Sequence, residues 1–372
     1  MGGGDMKLEP AKDSHSEVTN ANAGVADGFR RKLLSGLAAM GAGALIPGCE
    51  SSGRPTGMAT GKPYKIDIHH HLLPPDFISE IIKLRSSPTP AWSVAKSLED
   101  MDRNGIATSL VSQIQPGIWF GDIPTGRRLA RVINEYGARM ARDHPGRFGL
   151  FAALPLPDVE GSLREIEYAF DTLKADGIGL MTSYGNRWLG DAMFAPVWEE
   201  LNRRKAVVYN HPHSPACCGS LPNSTPVSVV EYAADTSRTI SSLIFTGTAA
   251  RFPDISWIHS HGGGSVPFIL DRFTREEAVM KPEVKAKILP NGLVYELKKF
   301  YYDTAQANNP GSLAAIMNLV PESHVMFGSD FPFRSADVVV AGLAAYKFSA
   351  QERAAIERGN ALRIMPKLRA LS

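Results

Sequence analysis

From Tyr64 onward, short apolar or β-branched runs alternate with longer amphipathic segments, and this alternation restricts the fold more than any other feature of the sequence. A helix between two strands carries the chain back across a sheet, so repeated units lay their strands parallel. Strands are expected at 65–69, 107–112, 148–153, 177–181, 206–210, 255–259, 300–303 and 325–328. Helical patterns fall at 95–104, 126–143, 159–175, 195–204, 229–251, 313–319 and 350–358. Within them Leu129, Val132, Ile133 and Tyr136 recur at helical spacing and predict a core face. Eight alternations in about 300 residues suit a closed (β/α)8 TIM barrel better than an open doubly wound sheet, which is the alternative. The dinucleotide-binding form of that sheet also lacks its Gly-x-Gly-x-x-Gly turn after the first strand. Gly262-Gly263-Gly264 has a different spacing and predicts a loop that lets backbone approach a ligand closely.

The remaining composition narrows partners and compartment. The chain of 372 residues has 40 basic and 38 acidic side chains without a polybasic run, which argues against nucleic acid as a partner. Its three cysteines, Cys49, Cys217 and Cys218, make no disulfide framework and no Cys-x-x-Cys zinc signature, so any metal must be held by His and carboxylate. Residues 1–29 are polar and aperiodic, the composition of a segment that stays disordered. Arg30-Arg31 then precedes a weakly apolar run ending at Pro47-Gly48-Cys49, which predicts a twin-arginine-type export leader over 1–49. A disordered tail or a retained anchor helix are the competing readings. Ile46 to Cys49 also has the form of a lipoprotein cleavage box, in which a lipidated Cys49 would tether the protein to a membrane facing the periplasm. With a functional leader the protein is exported; without one it stays in the cytoplasm. Residues 50–63, rich in Ser, Gly, Thr and Pro, read as a flexible linker, and 64–372 as the barrel domain.

The chemistry-bearing residues fall at expected strand ends. Alternate residues of a strand share a face, so His69 and His71 can both turn inward while His70 points away. Two imidazoles so placed make half a site for a borderline cation. Alone, His-x-His reads equally well as a run of partly exposed histidines. His211 closes another strand before Pro212, His261 precedes the glycine run, and Asp330 follows the last strand and precedes Phe331-Pro332-Phe333. Candidate ligands at the ends of four strands match the rim where TIM barrels build catalysis. Asp303 reaches the same rim and is expected to orient a ligand from behind. His259 shares a face with His261 and reads as a satisfied core histidine; His213, Cys217 and Cys218 read as plain loop residues, with a place in the pocket lining as the alternative.

The segments Ile66-Asp67-Ile68-His69-His70-His71, His211-Pro212, His261-Gly262-Gly263-Gly264 and Gly328-Ser329-Asp330-Phe331-Pro332-Phe333 resemble those of the amidohydrolase-related group. That group contains aminocarboxymuconate-semialdehyde, γ-resorcylate and 6-methylsalicylate decarboxylases. The stretch 69–75, with Pro90-Ala91-Trp92, looks closest to the 6-methylsalicylate branch. The resemblance implies a metal held by His69, His71, His211 and Asp330, with His261 as the catalytic histidine beside it. No lysine ends the fourth strand to bridge a second ion, which implies one divalent metal, zinc first and manganese second, and no organic cofactor. Arg272 matches an arginine that reaches a neighbouring subunit's site to bind substrate carboxylate, which implies a homodimer; its other reading is a surface salt bridge. Arg85 is a weaker match to a second such arginine. The implied activity is non-oxidative decarboxylation of a salicylate-like or muconate-like acid, with His261 or Asp330 managing the proton. The rivals are a metal-dependent hydrolase, such as a lactonase, on the same ligands and an exported binding protein without catalysis.

Overall fold

The computed structural model describes residues 64–82, 89–215, 217 and 225–371. The expected leader 1–49, linker 50–63, Cys49, Arg85 and Cys218 lie outside them. Eight parallel strands form one sheet in the order β1 (Lys65–His71), β2 (Ile106–Ser112), β3 (Phe148–Ala153), β4 (Gly177–Met181), β7 (Val207–His211), β8 (Ser256–His259), β9 (Tyr301–Asp303) and β10 (Val325–Met326). A small hairpin, β5 (Ser183–Tyr184) with β6 (Arg187–Trp188), interrupts the sequence order. The sheet closes on itself. Ile68 N donates to Phe327 O at 3.0 Å, Asp330 N to His69 O at 2.8 Å and His71 N to Phe331 O at 2.8 Å, joining the first strand to the segment after the last. The expected (β/α)8 barrel is therefore the observed one, and each expected strand is present to within two residues at either end.

The interior follows from apolar residues that several strands contribute to one cluster. Ile66, Ile68, Leu110, Phe151, Tyr209, Ile258 and Met326 pack together, and Ala361, Met365 and Leu368 from the end of the chain pack against them. A second, larger cluster lies between sheet and helices and includes Leu129 and Ile133, with Tyr136 packed at its margin. Strand β1 is not a uniform ladder: its register against β2 shifts between Asp67 and His70. That shift lets Ile66 and Ile68 join the inner cluster while His69 and His71 also reach the barrel mouth.

The helices differ more from expectation. The pattern over 229–251 is two helices, Val227–Phe245 and Thr248–Arg251, parted by Gly247 at φ 76°, a conformation a helix cannot continue through. The pattern over 159–175 is α-helical only through Glu167 and widens into a π turn at Tyr168–Thr172. Helices Leu270–Ala278, Pro282–Ile288, Leu293–Lys299 and Ala336–Ala345 were not expected; the first three bury few residues each, so few apolar positions mark them in the sequence. No described helix is long and apolar enough to cross a membrane.

One buried amide shows how helix and strand are joined. Asn134, on the helix Ile123–Asp143, accepts from Ala153 N at 2.7 Å and donates to Ala153 O at 2.9 Å and to Glu165 Oε1 at 2.8 Å. Asn134→Ala would leave both backbone groups at the end of β3 buried without partners. We expect it to cost roughly 1–3 kcal/mol of stability, read as a lower denaturant midpoint.

Candidate metal centre and active site

Four strands deliver side chains to one point at the barrel mouth. His69 and His71 end β1, His211 ends β7, His261 follows β8 by two residues, and Asp330 follows β10 in the seam that closes the barrel. His69 Nε2 and His71 Nε2 lie 3.2 Å apart, and each approaches Asp330 Oδ1, at 3.2 and 3.1 Å. His211 Nε2 stands 4.0 Å from the same oxygen, and His261 Nε2 is 3.6 Å from Asp330 Oδ2. All five converge, as the sequence suggested. Ligand atoms of His69, His211, His261 and Asp330 fall within 4.8 Å of one another, so His261, expected beside the metal, also lies within a ligand's reach of it.

The three expected histidine ligands are oriented from behind in the same way. His69 Nδ1 donates to Asp303 Oδ2 at 2.7 Å, His71 Nδ1 to Gln113 O at 3.0 Å and His211 Nδ1 to Pro212 O at 2.8 Å. Each bond fixes the tautomer that leaves Nε2 lone pairs facing the centre. Asp303, expected in this role, does more: its Oδ1 accepts from the backbone N of His261 at 2.8 Å and of Ala305 at 3.0 Å. One fully buried carboxylate thus sets both the His69 ring and the start of the His261 turn.

Asp67 plays a similar part that the sequence did not disclose. It accepts from His69 N at 3.1 Å, Ser329 N at 2.9 Å, Ser329 Oγ at 2.6 Å and His70 Nδ1 at 3.1 Å. His70 points away from the centre as expected, with Nε2 3.0 Å from Ser97 Oγ and its ring stacked on Phe331 at 4.8 Å.

Electrostatics reflect this crowding of buried groups. Burial works against a charged His69, but the carboxylates of Asp303 and Asp330 outweigh it and lift its pKa to about 10. Burial holds His71 below its usual value despite the bond to Asp330, and burial with the neighbouring imidazoles puts His211 far below. Burial also opposes charge on Asp330, yet His69, His261 and His71 keep its carboxyl well under the ordinary range. The buried Nε2 atoms of His211 and His261 have no hydrogen-bond partner. Orphaned, converging imidazole nitrogens beside an ionised carboxylate fit a divalent cation.

Beside this centre opens a chamber of about 570 Å³, its described wall including His261, Gly262, Gly264, Tyr232, Phe268, Gln306, Asn309 and Ile316. The glycine run does approach this chamber, but packing explains it as well. Gly262, Gly263 and Gly264 have φ of 64°, 78° and 65°, and a Cβ on Gly264 would sit 2.3 Å from Ala233 O.

Other expected residues find different places. Arg272 is exposed on the helix Leu270–Ala278, outside the chamber's described wall. His259 is a buried core histidine against Phe300, pulled down to about 3 by burial; Asn210 meets its Nδ1, but its Nε2 is unpartnered rather than satisfied. His213 bonds Ser183 Oγ at 2.8 Å, and Cys217 is disulfide-bonded, which corrects its reading as a plain loop cysteine. Gln306 was not anticipated: its amide bonds Asp330 Oδ2, and no spacing rule singles out a lone glutamine in a turn.

The comparisons with known proteins agree with this geometry. The amidohydrolase family model matches residues 66–367. A decarboxylase of Penicillium terrestre is 33% identical over 326 residues, which span 82% of this chain and 96% of that protein. The 6-methylsalicylic acid decarboxylase of Penicillium expansum is 32% identical over 320 residues, 82% of this chain and 98% of its own. The fold of 5-carboxyvanillate decarboxylase from Novosphingobium aromaticivorans, solved with bound manganese and 3-methoxy-4-hydroxy-5-nitrobenzoic acid, superposes with a TM-score of 0.73 at 20% identity, covering 84% of this chain and 99% of that one. By the extent of the family match and the identity of its relatives, this chain belongs to the amidohydrolase family.

Proposed function

We propose that the protein is a metal-dependent, non-oxidative decarboxylase of an aromatic carboxylic acid, a carbon–carbon lyase. The observation that carries this reading is the convergence of imidazole Nε2 atoms and Asp330 around His261, which also lines the chamber. Relatives across most of the chain are named as decarboxylases, which favours this over the hydrolase reading. The described chamber wall has no Lys, Arg, Asp or Glu, so a second carboxylate would meet no counter-charge there. A salicylate-like acid therefore suits it better than a muconate-like one. A substrate role for Arg272 would need a second copy of the chain, as the homodimer expectation requires.

His69, His71, His211 and Asp330 would hold the cation, with His261 at its edge. When bound, the cation supplies a Lewis-acid contact for the substrate carboxylate and fixes its position. The ring lies in the uncharged chamber, where Phe268 and Ile316 offer apolar contact. Decarboxylation breaks the ring–carboxyl bond, leaves the electron pair on the ring carbon and requires a proton at that carbon. His261, with a free Nε2 on the chamber wall, is placed to deliver it, while Asp330 stays ionised among the imidazoles. Of the two expected metals, zinc first and manganese second, manganese is favoured because a structure of the same fold holds it; the imidazole and carboxylate donors accept either. Export through the leader and a lipid tether at Cys49 belong to the same proposal and rest on residues 1–49 alone.

Manganese-loaded protein should release carbon dioxide from a hydroxybenzoate in a panel of aromatic acids, stop with a chelator and recover with metal. Turnover of lactones or esters instead would return the hydrolase reading. His261→Ala should lower kcat by about 10²- to 10⁴-fold with manganese retained; release of manganese would make His261 a ligand. The pKa of His69, near 10, means that the metal-free centre carries a proton at neutral pH that ligation must displace. Metal uptake should release about one proton, and affinity should rise with pH up to that pKa. Calorimetry in buffers of different ionisation heat measures this, and uptake without proton release would contradict it.

A further inference from the structure

The two oxygens of Asp330 are not equivalent. Oδ1 faces the imidazoles of His69 and His71, at 3.2 and 3.1 Å. Oδ2 has a different set of neighbours: the side-chain amide of Gln306, which bonds it, and His261 Nε2 at 3.6 Å. An ionised carboxylate only accepts, so the amide must present its NH2 to Asp330, which fixes the orientation of the glutamine.

The backbone around Gln306 is committed to this contact. Gln306 has φ 53°, a left-handed conformation that residues other than glycine seldom adopt. His261 at 52° and Asp330 at 67° share it, so three of the five described non-glycine residues at positive φ meet at one point. The turn that carries Gln306 is tied to the centre, because Asp303 Oδ1 accepts from Ala305 N at 3.0 Å and from His261 N at 2.8 Å. Ala307 N closes the turn on Thr304 O at 3.2 Å. The same glutamine lines the substrate chamber and, on its other side, a cavity of about 190 Å³ shared with Asn308 and Arg334.

We propose that Gln306 is a positioning residue for the metal centre: its amide holds Asp330 Oδ2 so that Oδ1 is turned to the imidazoles of His69 and His71. Without that donor the carboxylate can rotate toward the chamber, and the ligand set loses its fixed oxygen. The inference rests on the reading of Asp330 as a metal ligand. It explains why a strained residue with no charge stands where the chamber meets the centre.

The test is the manganese affinity of the full-length protein, measured by competition with a chromophoric chelator, beside the melting curve of the metal-free protein. Native protein should first bind one manganese per chain; failure of the native protein to do so removes the metal reading itself and is distinct from any effect confined to the variants. Gln306→Leu should weaken manganese about 10- to 100-fold while the metal-free melting temperature falls by far less than that loss would account for, as expected for loss of a group that orients a ligand. Gln306→Asn keeps an amide and suits positive φ better, but is one methylene shorter; it should fold as the native protein does and still lose affinity. Native affinity in both variants overturns the proposal. So does a loss of affinity matched by an equal loss of metal-free stability, which would make Gln306 a scaffold residue only.

Discussion

The seam between the first strand and residues 327–331 is the constraint on which the site depends. Hydrogen bonds from Ile68 N, His71 N and Asp330 N cross it, and Asp67 takes both the N–H and the hydroxyl of Ser329. A parallel barrel has no free edge only if its last strand finds its first, and here that meeting also brings Asp330 to His69 and His71. Closure and ligand assembly are one event. Sequence positions 69 and 330 become neighbours because the backbone has nowhere else to satisfy its hydrogen bonds.

The seam would be untenable without compensation for the charges it buries. Asp67 and Asp303 are fully buried, and each is surrounded by donors: four contacts for Asp67 and three for Asp303. A buried carboxylate is tolerated when its lone pairs are met and becomes strongly destabilising when a partner is removed. Four of the donors are backbone groups of the functional segments themselves, and the other three are the side chains of His69, His70 and Ser329. The solvation the carboxylates lose is replaced by contacts that fix His69, His261 and Ser329, so electrostatic satisfaction and geometric precision come from the same bonds.

Much of this was legible in the sequence, for identifiable reasons. Buried parallel strands leave continuous apolar runs, which is why 148–153 and 177–181 were placed to the residue. His211 and Asp330 stood out because a polar, metal-competent residue ended such a run. Asp303 stood out for the same reason. The helix break at Gly247 was missed because a single glycine inside an apolar pattern does not announce its φ. Asp67 was hidden because it sits within a strand and acts through backbone groups of a segment 262 residues away. Gln306 was hidden because an amide in a turn has no periodicity; its meaning comes from what the closed barrel sets opposite it.

The end of the chain packs into the barrel interior: Ala361, Met365 and Leu368 touch the cluster that contains Ile66, Ile68, Tyr209 and Met326. This arrangement bears on synthesis. A nascent chain that has emerged as far as β9 holds seven strands with an open edge and an uncorked apolar centre, and neither can be completed by anything already made. Residues 325–331 supply the closing seam, and residues 361–368 supply the stopper, so the first strand waits for both before it has a dry environment. Completion of the barrel is thereby deferred until residues 361–368 have been made.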